Sequence, residues 1–368
     1  MPNVGRRDPK RRMNVPHAPP VEALQTLRWG TYPTPLRRLS VRDEASHDIW
    51  LKDDGQTASV YGGNKVRKLE RLLAMAQRRG ATRLLTVGAA GSHHVLATCL
   101  FGRRLGLPTH AVLTPQPWSA HAEATLRAGL HAGLSAAPAA SYLAALYHLR
   151  RDRRPGDFLI GPGGCGVEGT WAYCLAVEEL GEQLLAHPLK APDAIVVAAG
   201  SGSTAAGLLA GVLRSGAPTR VIAVQVAPNP ALRSMIVSQA LAALRRHGHA
   251  MRPVRALRSL SIDRRFVGQG YGHRSAPGDH ASELARSFGL SLEPTYTAKA
   301  FAATLRWAGH VQQPQEECKL RLHQRQTYLY WHTLSSAPLA ALLEGAHEKL
   351  PNELTQLLRK PYLEVGTD

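Results

Sequence analysis

The chain is short of aromatic side chains, of acidic charge and of cysteine, and each shortage removes a class of function. Phe, Trp and Tyr make up 6% of the 368 residues, too few to interleave with basic side chains into a stacking platform for nucleic acid. Asp and Glu number 27 against 45 Lys and Arg, leaving a formal charge of +18. The excess is mostly arginine scattered along helical segments, as in Arg78-Arg79, Arg103-Arg104, Arg150-Arg151 and Arg245-Arg246. Only Arg6 to Arg12 concentrates it, so solvated arginine faces are expected rather than a nucleic-acid surface. Cys99, Cys165, Cys174 and Cys318 show neither metal-ligand spacing nor a disulfide framework, which points to reduced thiols and a cytoplasmic location. No stretch approaches the length and apolarity of a membrane span. Met1 to Pro20 lacks both an apolar segment and serine, so a disordered basic tail is expected there rather than a secretory signal.

What the chain does have is alternation of strand-like and helix-like segments from about residue 48 to residue 225. Leu84-Leu85-Thr86-Val87 precedes a glycine turn and a helix near His93 to Arg104. His110 to Thr114 precedes a helix over Ser119 to Ala132. Phe158-Leu159-Ile160 leads into Gly161-Pro162-Gly163-Gly164 and a helix through Trp171 to Leu185. This pattern predicts an α/β protein with parallel sheets flanked by helices. Ligands of such proteins sit at the carboxyl ends of strands, where these glycine turns fall, so the turns are expected to open on one cleft.

Gly62-Gly63-Asn64-Lys65-Val66-Arg67-Lys68-Leu69 places a lysine where a glycine-rich turn gives way to a helix. Leu69, Leu72, Leu73 and Ala76 then recur at helical spacing. A lysine there lies against the positive end of the helix dipole, and partial burial in a cleft acts in the same direction. Both favour the neutral amine that imine chemistry needs. The alternative is a basic helix start on the surface. Far downstream, the apolar run Ala194-Ile195-Val196-Val197-Ala198 reads as a buried parallel strand. It feeds Gly200-Ser201-Gly202-Ser203-Thr204, after which a helix begins near Ser203. Strand, glycine-serine loop and helix form a phosphate cradle from backbone N–H groups and hydroxyls. A lysine together with a phosphate cradle suggests pyridoxal 5′-phosphate (PLP), held covalently at one end and ionically at the other.

Weaker signals lie between and beyond these motifs. Ser92-His93-His94 closes the turn Gly88-Ala89-Ala90-Gly91 at a helix start, where N–H groups, a hydroxyl and imidazoles suit a substrate carboxylate. An ordinary serine cap followed by two exposed histidines is the plainer alternative. Tyr271, in Gly270-Tyr271-Gly272, and Tyr296, in Glu293-Pro294-Thr295-Tyr296-Thr297, fall in loops, where a phenol can hold or transfer a proton or simply pack. Thr297 precedes a helical stretch and is either its cap or a hydroxyl offered to a ring nitrogen.

In this order the pieces resemble the fold-type II PLP enzymes, and within them the 1-aminocyclopropane-1-carboxylate deaminase / D-cysteine desulfhydrase family. The likeness runs from Thr34-Pro35-Leu36 through Lys52-Asp53-Asp54 and the Gly-Gly-Asn-Lys motif. It resumes at Ser92-x-His94, Gly163-Gly164, the phosphate loop, Gly-Tyr-Gly, Pro-x-Tyr-Thr-x-Lys-Ala and His332-Thr333. The resemblance implies Lys65 as the Schiff-base lysine, Asn64 and Lys68 near the cofactor, and Gly200, Ser201, Gly202, Ser203 and Thr204 around its phosphate. It implies Ser92, His93 and His94 at the substrate, Tyr271 and Tyr296 flanking it, and Thr297 facing the pyridine nitrogen. It also implies a two-lobed homodimer. Residues 21–66 and 174–368 would form the larger PLP lobe, and residues 67–173 a smaller inserted one.

The activity so implied is α,β-elimination from a small amino acid, as in D-cysteine desulfhydrases, giving a 2-oxo acid and ammonia. The neutral Thr297, where the deaminases look to carry glutamate, argues against the alternative, 1-aminocyclopropane-1-carboxylate deamination. Three departures mark the chain: His93 in place of asparagine, Leu334-Ser335-Ser336 in place of a glycine pair, and Cys165-Gly166-Val167-Glu168 in place of serine-proline-leucine. They motivate a reading of another class, a catalytically inactive binding protein. A nicotinamide-dependent dehydrogenase satisfies Gly200-x-Gly202-x-x-Ala205, but the strand from Val221 ends at Gln225 and Val226 without the acidic residue that ribose binding needs.

Overall fold

The computed structural model describes residues 26–41, 47–186, 190–310, 325–346 and 349–359. The tail expected over residues 1–20 and the thiol of Cys318 lie outside the described residues. Among the described residues ten strands run β1 (Leu36–Leu39), β2 (Asp48–Asp53), β3 (Arg83–Ala89), β4 (Thr109–Thr114), β5 (Ser135–Pro138), β6 (Asp157–Ile160), β7 (Ala194–Ala199), β8 (Arg220–Gln225), β9 (Leu260–Asp263) and β10 (Thr327–His332). They form a six-stranded sheet, β1-β2-β10-β7-β8-β9, and a four-stranded sheet, β5-β4-β3-β6. Every pairing is parallel except that of β1 with β2. The α/β class with parallel sheets is as the alternation predicts.

The helices that matter for the site are α1 (Lys65–Arg78), α2 (His93–Arg103), α3 (Ala120–His131), α4 (Tyr142–Arg151), α5 (Val167–Leu185), α6 (Ser203–Ser215), α7 (Leu232–Arg246), α8 (Pro253–Arg258), α9 (Ala276–Arg286) and α10 (Thr297–Trp307). The larger sheet is buried on both faces, which is why its central strands are apolar throughout. Ile195, Val197, Val221 and Trp331 face α5, α6 and α7. Val196, Ile222, Val224 and Tyr330 face α9 and α10. In the smaller sheet, Leu84 and Ile160 pack beneath α1 and α2, while Leu85, Val87 and Val112 pack against α4.

A buried polar cluster ties α1 to the larger sheet and its helical cover. Asp54, at the end of β2, is fully buried and accepts from Arg67 of α1 at 2.9 Å, Tyr173 of α5 at 2.5 Å and Trp331 of β10 at 2.7 Å. Arg67 also pairs with Glu179 of α5 at 2.7 Å, and Glu179 in turn takes Lys52 at 2.5 Å. Burial alone would raise the Asp54 carboxyl, but the Arg67 guanidinium, with the Lys52 charge and the Trp331 hydrogen bond, holds the group below the usual carboxylate range. The opening turns of α1 are thereby fixed to β2, β10 and α5 at once.

Removing one partner of such a cluster leaves a buried charge uncompensated. Asp54→Ala is expected to lower the unfolding free energy by about 3–5 kcal/mol, measured by denaturant titration with the slope unchanged. A loss below about 1 kcal/mol, the range of an exposed pair, would contradict this assignment.

Candidate active site

A cavity of about 550 Å³ opens at the carboxyl ends of β3, β4 and β7 and along the turns after β6, β8 and β10. Its floor is the turn that starts α1. Gly63 has φ of +87°, and a Cβ there would come within 2.7 Å of the Thr333 carbonyl. The turn is stitched to the segment after β10: Gly62 N–H donates to the Ser335 hydroxyl at 2.8 Å and Asn64 N–H to Thr333 O at 3.1 Å. Leu334 is buried in the cavity wall. The departure at residues 334–336 is therefore built into the floor, with a serine hydroxyl bracing the glycine turn.

Lys65 is the first residue of α1, and its amine donates to Asn64 Oδ1 at 2.6 Å. Burial lowers its pKa to about 8, with the Glu293 carboxylate pulling the other way. Asn64 Nδ2 donates to Thr204 Oγ1 at 3.0 Å. One turn on, Lys68 is buried and donates to Gly163 O and to Ser203 Oγ, both at 3.2 Å. Burial, and then the charge of Lys65, hold the Lys68 amine well below its ordinary value. The start of α1 is thus tied to the first two residues of α6.

That end of α6 is the segment for which the sequence predicts a phosphate cradle. Gly202 is left-handed, with φ of +78°, and caps the helix without a side chain. The first N–H groups of a helix have no partner within it, and here they share the cavity with the Ser203 and Thr204 hydroxyls and with Gly200 and Ser201. Gly163, also left-handed, closes the opposite side: a Cβ there would lie 2.8 Å from Ser201 Oγ. The donor set, all N–H and O–H with the Lys68 amine beside it, fits a phosphate. The lysine amine at the other end fits an aldehyde.

The remaining expected residues face the same space. Ser92 does cap α2, accepting from Val95 N–H at 3.4 Å, and still lines the cavity. The two histidines after it are not exposed. His94 is 3% accessible, and its Nε2 lies 3.0 Å from a Thr86 hydroxyl that donates to Ile160 O. His93 contacts Tyr61 through Nδ1 and His121 through Nε2. Burial lowers both rings well below the ordinary histidine value, and the Lys65 charge adds to the effect. Tyr296 donates to Tyr271 at 3.0 Å, with the rings edge-on at 85°. Lys299 pins the Gly270-Tyr271 loop by donating to Gly270 O at 2.7 Å and Val267 O at 2.8 Å.

Sequence reasoning missed Glu293. Its carboxylate accepts from the N–H groups of Thr295, Tyr296 and Thr297 at 2.7–2.8 Å, and its backbone N–H donates to Thr297 Oγ1 at 2.8 Å. This reciprocal bonding caps α10 and sets the Thr297 hydroxyl in the wall. Glu293 stands before a proline in a loop and carries no periodic signal. A carboxylate a few residues ahead of a helix start is nonetheless a capping pattern that could have been read. Glu168, among the departures, pairs with Arg71 of α1 at 3.0 Å and with His247 at 3.2 Å, so it braces α1 rather than the cavity.

A two-sheet frame that sets a lysine of lowered pKa opposite a loop of N–H and O–H donors suits a PLP-dependent enzyme. Residues 28–317 match the family described as pyridoxal-phosphate dependent enzyme. The chain is 31% identical over 316 residues to the nocardicin C-9′ epimerase of Nocardia uniformis subsp. tsuyamanensis, covering 82% of this chain and 90% of that protein. It is 30% identical over 310 residues to a mitochondrial bifunctional D-cysteine desulfhydrase/1-aminocyclopropane-1-carboxylate deaminase of Arabidopsis thaliana, covering 77% and 75%. A crystal structure of a 1-aminocyclopropane-1-carboxylate (ACC) deaminase homologue superposes with a TM-score of 0.69 at 26% identity, over 86% of this chain and 96% of that one. The chain belongs to the pyridoxal-phosphate dependent enzyme family, and its cofactor is PLP.

Only the neutral amine attacks an aldehyde. With the Lys65 pKa at about 8, the rate of PLP capture by cofactor-free protein should rise with pH through that value and level off above it. Glu293 raises the Lys65 pKa, so Glu293→Gln should move the midpoint to lower pH. A midpoint near the ordinary lysine value, about 10.4, in either protein would contradict the site.

Proposed function

We propose that the enzyme catalyses α,β-elimination from a small β-substituted amino acid of the D-cysteine type, releasing a 2-oxo acid and ammonia. The observation that carries this is the Lys65 amine, lowered to a pKa of about 8 at one end of a cavity whose other end gathers the N–H and O–H donors of residues 200–204. When bound there, PLP withdraws electrons from the α-carbon of the amino acid and makes its proton acidic. Lys65 Nζ is the base that takes this proton, oriented by Asn64 Oδ1. Ser92, at the start of α2, receives the substrate carboxylate beside His93 and His94. Lys68, Ser203 and Thr204 hold the phosphate end. Tyr271 and Tyr296 share one hydrogen bond across the cavity and flank the departing group. Thr297 faces the ring nitrogen. Its hydroxyl lies 3.2 Å from Glu293 Oε1, so it offers a neutral oxygen rather than a charge. That suits loss of a good leaving group such as a thiolate more than the ring opening of a cyclopropane.

The similarity to an epimerase favours one second reading. Epimerisation begins with the same removal of an α-proton by Lys65 and ends by returning a proton to the other face. Within the main reading the enzyme is a cytoplasmic homodimer acting on a free amino acid. Resemblance supports the dimer. Cys99, Cys165 and Cys174 are free thiols, which suits a reducing compartment. No helix among the described residues is long and apolar enough to cross a membrane.

The test is turnover of D- and L-cysteine, β-chloro-D-alanine and ACC, followed by 2-oxo acid and ammonia release and by chiral analysis of recovered substrate. D-cysteine elimination is expected to exceed ACC ring opening, and Lys65→Ala should lower it at least about 10³-fold, the scale of a lost acid–base group. Racemised substrate without 2-oxo acid would select epimerisation. Bound PLP with neither outcome would select an inactive binding protein.

A further inference from the structure

One wall of the cavity carries a connected set of proton-exchanging side chains whose bonds to one another the scheme above does not use. Tyr61, just before the Gly62-Gly63 turn, is 2% accessible and lines the cavity. Its hydroxyl is hydrogen-bonded to Nδ1 of His93. On the far side of that ring, Nε2 of His93 lies 2.9 Å from Nε2 of His121 on α3. The His121 ring is half-buried, so the set runs from the cavity toward water. Tyr61 and His93 lie near parallel at 20°, and the two imidazole centroids are 4.9 Å apart.

A single hydrogen bond between two neutral imidazoles holds one proton, which restricts the set to two directed arrangements. In the first, His121 Nε2–H donates to His93 Nε2, His93 Nδ1–H donates to the Tyr61 oxygen, and the Tyr61 O–H is free to donate into the cavity. In the second, every bond is reversed: Tyr61 O–H donates to His93 Nδ1, and His93 Nε2–H donates to His121 Nε2. We propose that Tyr61, His93 and His121 form a proton wire that delivers a proton from the His121 edge to the cavity, with the Tyr61 hydroxyl as its delivering group.

One passage converts the first arrangement into the second. The Tyr61 proton leaves to an acceptor in the cavity, and the His93 Nδ1 proton moves onto the Tyr61 oxygen. The His121 Nε2 proton moves onto His93 Nε2, and a water proton enters at His121 Nδ1. One proton has crossed, and no member is left charged. The surroundings favour this neutral relay. Burial lowers both histidines and raises Tyr61. The Lys65 charge adds to the lowering of His93, and the Glu293 carboxylate adds to the raising of Tyr61 while drawing His121 upward. The histidine that replaces the family asparagine thus gains a chemical role: an asparagine cannot pass a proton between two partners.

Resting on the elimination proposed above, the wire protonates the departing β-substituent while Lys65 holds the α-proton. Two readouts test it on the PLP-loaded protein. Ring spectra of ¹⁵N-histidine-labelled protein should show His93 and His121 neutral from about pH 5.5 to 8.5, the range in which an ordinary histidine titrates. Tyr61→Phe should change the tautomer populations of both rings. Either ring gaining a second proton with an ordinary midpoint, or tautomers indifferent to Tyr61→Phe, would overturn the wire. In turnover, Tyr61→Phe should lower kcat about 10²-fold, leave KM and the cofactor absorption band in place, and turn a curved dependence on D₂O fraction linear. Wild-type kcat in Tyr61→Phe would overturn the delivering role. If wild-type protein forms no 2-oxo acid, the elimination reading fails, and the ring spectra alone decide the wire.

Discussion

The buried contact between Arg67 and Asp54 is the constraint on which the site depends. Lys65 and Lys68 sit two residues before and one residue after the guanidinium, on the opening turns of α1. Their direction into the cavity is therefore set by how that helix start is anchored. Asp54 receives Arg67, Tyr173 and Trp331 together, and Glu179 receives Arg67 and Lys52. Those partners come from β2, β10 and α5, elements of the larger sheet and its helical cover. A charge cluster this deep is a weak source of net stability. What it supplies here is register, fixing the helix that carries Lys65 to the sheet whose β7 loop opens α6.

The cavity then gains its electrostatic character from helix starts. The first residues or caps of α1, α2, α6 and α10 all line it: Lys65, Ser92, Gly202 and Tyr296. Each contributes N–H groups and the positive end of a dipole. Such a space favours anionic groups over cationic ones. The depressed amines of Lys65 and Lys68 follow from the burial that comes with it, and Glu293 supplies a countercharge that keeps the lowering of Lys65 moderate. The amine proposed as the general base is thereby brought toward neutrality.

Much of this was legible from residues alone, because the informative features are backbone signatures. A glycine pair before a lysine, and a glycine-serine loop between an apolar strand and a helix, declare their geometry locally. Gly63 and Gly202 do adopt the left-handed conformation that those turns require. The strand–helix alternation also placed β3, β4, β6, β7 and β8 to within a residue or two. Less legible was β5, Ser135–Pro138, which is short and half-buried and takes its identity from pairing with β4. Tyr61 and His121 were invisible for another reason. They lie 60 residues apart in sequence, and only the packing of α2 on α3 brings His121 to His93. The same holds for Ser335, whose hydroxyl braces Gly62 across the whole chain.

That Lys65 is the residue that takes up PLP is tested most directly by reducing the PLP-loaded protein with borohydride and mapping the fixed pyridoxyl group by mass spectrometry. Lys68 and Lys299 are the proper competitors, since burial lowers both amines as well. Lys299 donates to three backbone carbonyls and Lys68 to one carbonyl and one hydroxyl. One modified lysine, Lys65, and loss of the visible band are expected. Label on Lys68 or Lys299, or a protein that fixes no pyridoxyl group, would contradict the assignment.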